Sequence, residues 1–288
     1  RRPPRSTLDR SSAASDVYKR QIYTSVSKYF RNEKLRQVFS FHPLLIGGDP
    51  SAVTCVYSLI AALEKRHGVH SAIGGTGAIV SAMVDLYKDI GGEIIYNSEV
   101  TKIDVQQSCT RGLFLKSGKY FKSNIIVSNA DTAWTYTHLL DKTYRKKWSD
   151  KKIRNSSFSM SLFVWYFGTS RSYPEAKHHT IIMGETFKDL LEEIYDQKVL
   201  SNDLSLYLHR PAATDGTMAP AGRDAFYVLA PVPNKQASID WREAGERIRL
   251  QVEQQLESTL LPDLSTCIEV THYVTPDDFE GKFNTLWG

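Results

Sequence analysis

The chain has 288 residues, enough for a large core or for two domains, and its apolar and aromatic content of 41% is ordinary for a globular protein. Its formal charge of +4 is concentrated in residues 1–21, which hold six Lys/Arg against two Asp/Glu, and the rest is balanced; no basic patch remains to suggest a nucleic-acid partner. Three cysteines, far apart and in no metal-type spacing, read as reduced thiols of a reducing, cytoplasmic compartment, and no apolar run approaches the roughly 20 residues of a spanning helix.

Residues 1–21 show no apolar periodicity and resemble translated adaptor sequence, so they are expected to be a non-native, disordered leader. From Ile22, apolar residues at Val26, Tyr29, Phe30, Val38 and Phe39 recur at near-helical spacing, broken by Arg31-Asn32-Glu33-Lys34. Leu44–Gly48 reads as a turn. Asp49-Pro50 then supplies a helix start, with the helix expected through Glu64 and stopped at Gly68. Gly74-Gly75-Thr76-Gly77 opens a further helix, with Thr76 as its expected N-cap, Ile79, Val80, Met83, Val84, Tyr87 and Ile90 on one face, and Gly91-Gly92 as its stop. This loop is not a dinucleotide fingerprint: the third glycine position holds Val80, and Val69–Ile73 is a poor strand.

Short β segments follow at Ile94–Tyr96, Val100–Val105, Gly112–Leu115, Tyr120–Phe121 after a Ser117-Gly118 turn, and Ile125–Val127. The last is expected to be buried on both faces. Beyond them, Ser159–Phe167, Thr180–Met183, Leu204–Leu208, Phe226–Ala230 and Ile268–Val274 read as strands, with helices at Phe187–Tyr195 and Trp241–Leu260. The pattern is mixed α and β with long-range strand pairing.

No nucleophile–base motif is visible and the eight histidines are scattered. His178-His179 is expected to be structural or superficial, because neighbouring strand residues point to opposite faces and would rarely reach one ion; no metal site is expected. Asp277-Asp278 after Pro276 reads as a helix start. Phe163, Trp165 and Phe167, alternating along one strand, are either ordinary core or, with Tyr207 and Tyr227, the wall of an apolar ligand tunnel.

The segments FSFHPLLIGGDP, HGVHSAIGGTGAIVSAMV, GGEIIYNSEVTKI, IIVSNADTAWTYTHLL, SLYLHRPAATDGTMAPAG and AFYVLAPVPN, in this order, resemble the bacterial and fungal type of phytoene desaturase, of the FAD-dependent amine-oxidase-like flavoproteins. The resemblance runs from about Ile22 to Gly288. It implies part of an FAD/NAD(P)-binding Rossmann-like domain plus an antiparallel-sheet substrate domain and a helical region. The helical, membrane-side region would be 22–75, the FAD part 76–140 and the substrate domain 141–288. It also implies an interior piece of a longer enzyme, because the family's N-terminal G-x-G-x-x-G unit and C-terminal flavin segment are not found. Gly74 and Gly75 would bring backbone close to flavin and substrate, with a simple helix-entry turn as the alternative. Val100 would offer its backbone to the adenine, and Ser128, Asn129, Ala130 and Asp131 would lie beside FAD, with Asn129 and Asp131 equally readable as Asx turn or N-cap. Phe163, Trp165, Phe167, Tyr207 and Tyr227 would contact an apolar polyene, in a cytoplasmic enzyme held peripherally on the membrane. The implied reaction is FAD-dependent desaturation of phytoene toward lycopene. A related desaturase, isomerase or retinol-saturase-like enzyme, or a non-catalytic carrier of apolar ligands, are the alternatives.

Overall fold

A computed structural model describes residues 21–288; the leader expectation for residues 1–20 lies outside them. Gln21 already belongs to the fold, bridging to Thr54. Two short helices, α1 (Ile22–Val26) and α2 (Glu33–Ser40), are separated by residues 27–32, the charged stretch running into the first turn of α2, and Asn32 caps α2 by accepting the Leu35 N–H. A 3-10 turn, His42–Ile46, follows. The helix expected from Pro50 begins later: Asp49 instead caps a tight turn through the Ser51 N–H and hydroxyl, and α3 (Leu59–His67) starts only after a 3-10 turn at Cys55–Ser58. An Asp-Pro pair suits a turn as well as a helix start.

Helix α4 (Gly75–Asp89) is capped by Gly74, not by Thr76, which falls inside the first turn. Its apolar positions, Ile79, Val80, Met83, Leu86 and Ile90, are exposed. Strands β1 (Val100–Gln106), β2 (Cys109–Leu115) and β3 (Tyr120–Lys122) form an antiparallel meander. Gly118 turns the second corner as its sequence predicts.

Ile94–Tyr96 and Ile125–Val127 do not form strands. Ile125 is 81% and Val127 89% exposed, the reverse of the burial expected. A strand exists only where neighbouring backbones accept and donate its hydrogen bonds, and among the described residues neither segment has such a neighbour. The chain then runs through α5 (Thr132–Trp134), a π turn at Thr135–Leu139, and α6 (Asp150–Arg154).

The larger sheet is antiparallel, in the order β5-β6-β7-β4-β8, from β4 (Ser161–Thr169), β5 (His179–Ile182), β6 (Leu206–His209), β7 (Asp224–Val232) and β8 (Ile268–Val274). Between β5 and β6 lies α7 (Phe187–Glu192), which continues as a π turn to Gln197. Helix α8 (Trp241–Thr259) crosses one face of the sheet. Asp240 caps it through the Arg242 N–H, and Trp241, Ala244, Ile248, Val252 and Leu256 form the buried stripe that its helical period predicts. These side chains and the α8-facing residues of the sheet make the main core. After α9 (Leu264–Cys267) and β8, α10 (Pro276–Phe283) starts with a capping box in which Thr275 and Asp278 satisfy each other's backbone N–H groups. Asp277-Asp278 is thus a helix start, as expected.

Candidate functional site

Alternation along the strands gives the larger sheet two unlike faces. Phe163, Trp165, Phe167, Phe226, Val228 and Leu208 lie under α8, fully or almost fully buried. Trp165 stacks on Phe167 with ring centroids 4.2 Å apart, and its Nε1–H donates to Thr271 Oγ1 at 2.7 Å. The tunnel reading of Phe163, Trp165 and Phe167 is therefore corrected: these three rings are core. The alternation was right, but the face that α8 covers is theirs.

The opposite face bounds a cavity of about 520 Å³, within the roughly 300–1,000 Å³ range of small-molecule sites. Leu162, Tyr207, Tyr227 and Leu229 wall it from the sheet, and Leu44 and Ile46 close it from the 3-10 turn of the helical region. That turn is held in place by the Tyr195 hydroxyl, which donates to the Gly47 carbonyl at 3.2 Å. No charged side chain lines the cavity. Burial, and then the neighbouring Tyr227, push the Tyr207 phenol above its ordinary range, so it stays neutral. A space of this kind suits an uncharged, largely apolar molecule; among its lining residues there is no nucleophile–base pair. Leu44, Ile46, Leu162 and Leu229 were not singled out from the sequence. The alternation of β4 and β7 carried that signal for Leu162 and Leu229 once the covered face was known.

Gly74 and Gly75 both take positive φ, +83° and +75°, a conformation that side chains disfavour. The close approach they permit is to the 211–218 turns: the Gly74 N–H donates to Asp215 Oδ2 at 2.7 Å, and a Cβ on Gly75 would lie 3.1 Å from Met218 Cε. The Gly74 N–H, then the Thr217 hydroxyl and N–H, hold the Asp215 carboxyl below its ordinary value.

FAD does not fit the described residues as they stand. Its pyrophosphate needs converging N–H groups at a helix start. At the glycine-rich start of α4, the Gly74 N–H already serves a carboxylate that would repel a phosphate. Val100 opens β1 opposite Leu115. Ser128, Asn129 and Ala130 are exposed, outside any helix or strand, and the Ser128 hydroxyl meets Thr135 Oγ1 at 2.8 Å. Asp131 caps α5 by accepting the Trp134 N–H at 2.7 Å, the N-cap alternative read from its sequence. These residues present an open edge and not a closed nucleotide site.

On the cavity face, two residues beyond Tyr207, lies His209, and with it His178 and His179. The divergence expected of adjacent histidines does not occur, because His178 sits in a bend before β5 and is outside the pleat. The ring centroids of the pair are 4.3 Å apart, and His209 is 4.8 Å from His178 and 5.3 Å from His179. The β5–β6 register, with His179 opposite His209, makes the cluster. Sequence reasoning missed His209 because that pairing joins residues 30 apart, although its position two after Tyr207 already placed it on the same face.

Solved structures of similar fold include an oxidoreductase from Methanosarcina mazei (TM-score 0.60, 14% identity, 93% of this chain and 61% of that one) and a putrescine oxidase variant (TM-score 0.58, 10% identity, 94% and 56%). The mixed helical and antiparallel-sheet architecture is thus one found in oxidoreductases. No family model matches the chain. It is 41% identical over 274 residues to the neurosporene-forming phytoene desaturase of Cereibacter sphaeroides, covering 93% of this chain and 53% of that protein. It is 38% identical over 270 residues to the lycopene-forming phytoene desaturase of Pantoea ananas, covering 93% and 55%. By sequence the chain is similar to phytoene desaturases along about 93% of its own length, and it spans about half the length of the curated relatives it matches. Among the described residues no helix is long and apolar enough to cross a membrane.

Proposed function

We propose that the protein is an FAD-dependent desaturase of a carotenoid precursor, acting on a long apolar polyene such as phytoene. The observation that carries this reading is the uncharged cavity between the 3-10 turn at His42–Ile46 and the outer face of the larger sheet, in a chain 41% identical to a phytoene desaturase. A hydrocarbon offers no handle for ion pairs or acid–base groups. What these residues supply is shape, orientation and exclusion of water. Leu44, Ile46, Leu162 and Leu229 would grip the polyene, and Tyr207 and Tyr227 would limit its course along the sheet. FAD is the cofactor we assign to the protein at the length of its relatives, since the described residues leave its phosphates without a cradle. Residues 22–75 would form the membrane-side region, 76–140 part of the FAD domain and 141–288 the substrate domain. Exposed Tyr29, Val38, Phe39, Leu59 and Leu63 support peripheral contact with the bilayer in which such a substrate dissolves.

The test is expression of the full-length protein in a phytoene-accumulating bacterium, with products followed by their visible absorption. Coloured polyenes should form, and Leu229→Glu, which places a charge in the cavity, should abolish them while the thermal transition persists. Unchanged phytoene in the presence of folded, flavin-loaded protein would overturn the assignment. Tight phytoene binding without conversion would identify a carrier instead.

A further inference from the structure

Three imidazoles converge at the edge of the cavity face, and nothing in the desaturase reading uses them. His178 Nε2 lies 2.9 Å from His209 Nε2, and the ligand atoms of His178, His179 and His209 all lie within 4.8 Å of one another. The outer nitrogens of two of the rings are already engaged: His178 Nδ1 with Thr214 Oγ1 at 2.5 Å and His179 Nδ1 with the Tyr207 hydroxyl at 2.6 Å. When each Nδ1–H donates to its oxygen, the Nε2 lone pair is left facing inward. This is how outer partners fix the tautomer and direction of metal-binding histidines.

The surroundings hold this geometry. Arg210, next to His209, donates its backbone N–H to the His178 carbonyl at 2.9 Å and an Nη1–H to the Ala176 carbonyl at 3.0 Å, so the bend carrying His178 is pinned to the end of β6. The Arg210 charge is itself met by Asp224 at 2.9 Å and does not oppose a cation nearby. His209 Nδ1 is buried without a hydrogen-bond partner. The triad thus combines crowding and outer support.

We propose that His178, His179 and His209 form a binding site for a divalent transition metal of the zinc type, at the Tyr207–Tyr227 end of the cavity face. Imidazole donors suit zinc, copper, nickel and iron in preference to magnesium or calcium. Metal–nitrogen distances of about 2.0–2.1 Å put tetrahedral ligand nitrogens roughly 3.3–3.4 Å apart, so His178 and His209 would part slightly while the wider separations, up to 4.8 Å, would close. Three protein ligands leave a fourth position open, the arrangement of reactive rather than purely structural zinc sites.

The experiment uses untagged protein, stripped with chelator and titrated with Zn²⁺ by calorimetry and with Co²⁺ by visible absorption. One ion should bind per chain. On Zn²⁺ addition, the ring signals of three of the eight histidines should shift in the NMR spectrum. His179→Ala and His209→Ala should each weaken binding at least tenfold, and Tyr207→Phe, which removes the partner of His179 Nδ1, by about ten- to hundredfold. His67→Ala, on the distant α3, should change nothing. Absence of stoichiometric binding to the wild-type protein would overturn the site, whether or not a variant folds, as would Zn²⁺-induced shifts at histidines other than these three.

Discussion

The Asp215 carboxylate joins two loops 141 residues apart by accepting the Gly74 N–H. Its folded pKa lies below its ordinary 3.8. The stability it contributes is therefore fully present above about pH 3.8 and is lost as pH falls through the lower folded value. We expect the Gly74 amide to be protected from hydrogen exchange at neutral pH, to stay protected down to about that pH, and to lose protection in Asp215→Ala but less so in Asp215→Asn, which keeps an acceptor oxygen. At Gly74, with φ +83°, substitution by Ala should cost about 1–2 kcal/mol in a denaturant titration, from left-handed strain alone. The glycines announced a special backbone conformation in the sequence. Their partner did not, because nothing local distinguishes Asp215 from any other turn aspartate.

At the scale of elements, β4 shows how far periodicity reaches. Its extent and its alternation are readable from Ser161 to Phe167, as is the amphipathic stripe of α8. Which of the two β4 faces α8 covers is not, since both carry large apolar or aromatic residues. The consequence is measurable by urea denaturation. Trp165→Ala should cost about 3–5 kcal/mol, as expected for a large buried ring. Tyr166→Ala, whose half-exposed ring lies on the other face, should cost under about 1 kcal/mol. Trp165→Glu should unfold the larger sheet outright, because an unpaired charge would be buried under α8. A folded Trp165→Glu protein would contradict the core assignment.

At the scale of the whole molecule, the apolar face of α4 and the side chains of Ile95, Tyr96, Ile125 and Val127 are all exposed, Ile90 to 75%. So many exposed large apolar side chains are uncommon on an isolated chain. The described chain should therefore bind an apolar dye such as anilinonaphthalene sulfonate. The triple variant Ile79→Lys, Met83→Glu, Ile90→Lys should lower that fluorescence while changing stability by no more than about 0.5 kcal/mol per site. At the length of the curated relatives, about twice that of this chain, we expect the amides of Ile94–Tyr96 and Ile125–Val127 to become protected from exchange, as paired strands would be.

By itself the sequence determined what depends on near neighbours. The charge balance left no basic patch to argue for nucleic acid, the 3.6- and 2-residue periods placed α8, β4, β7 and β8, the Thr275–Asp278 box started α10, and the ordered segments from FSFHPLLIGGDP to AFYVLAPVPN pointed to a desaturase. Tertiary structure alone decided which face of the larger sheet meets α8 and which meets the cavity, that Asp215 reaches Gly74, and that β5–β6 pairing brings His209 to His178 and His179. It also decided that Ile125–Val127, a strand by composition, is not one here. The physical reason is common to all four. A side chain's direction and a backbone's hydrogen bonds are completed by residues distant in sequence, and a local pattern restricts those partners without choosing among them.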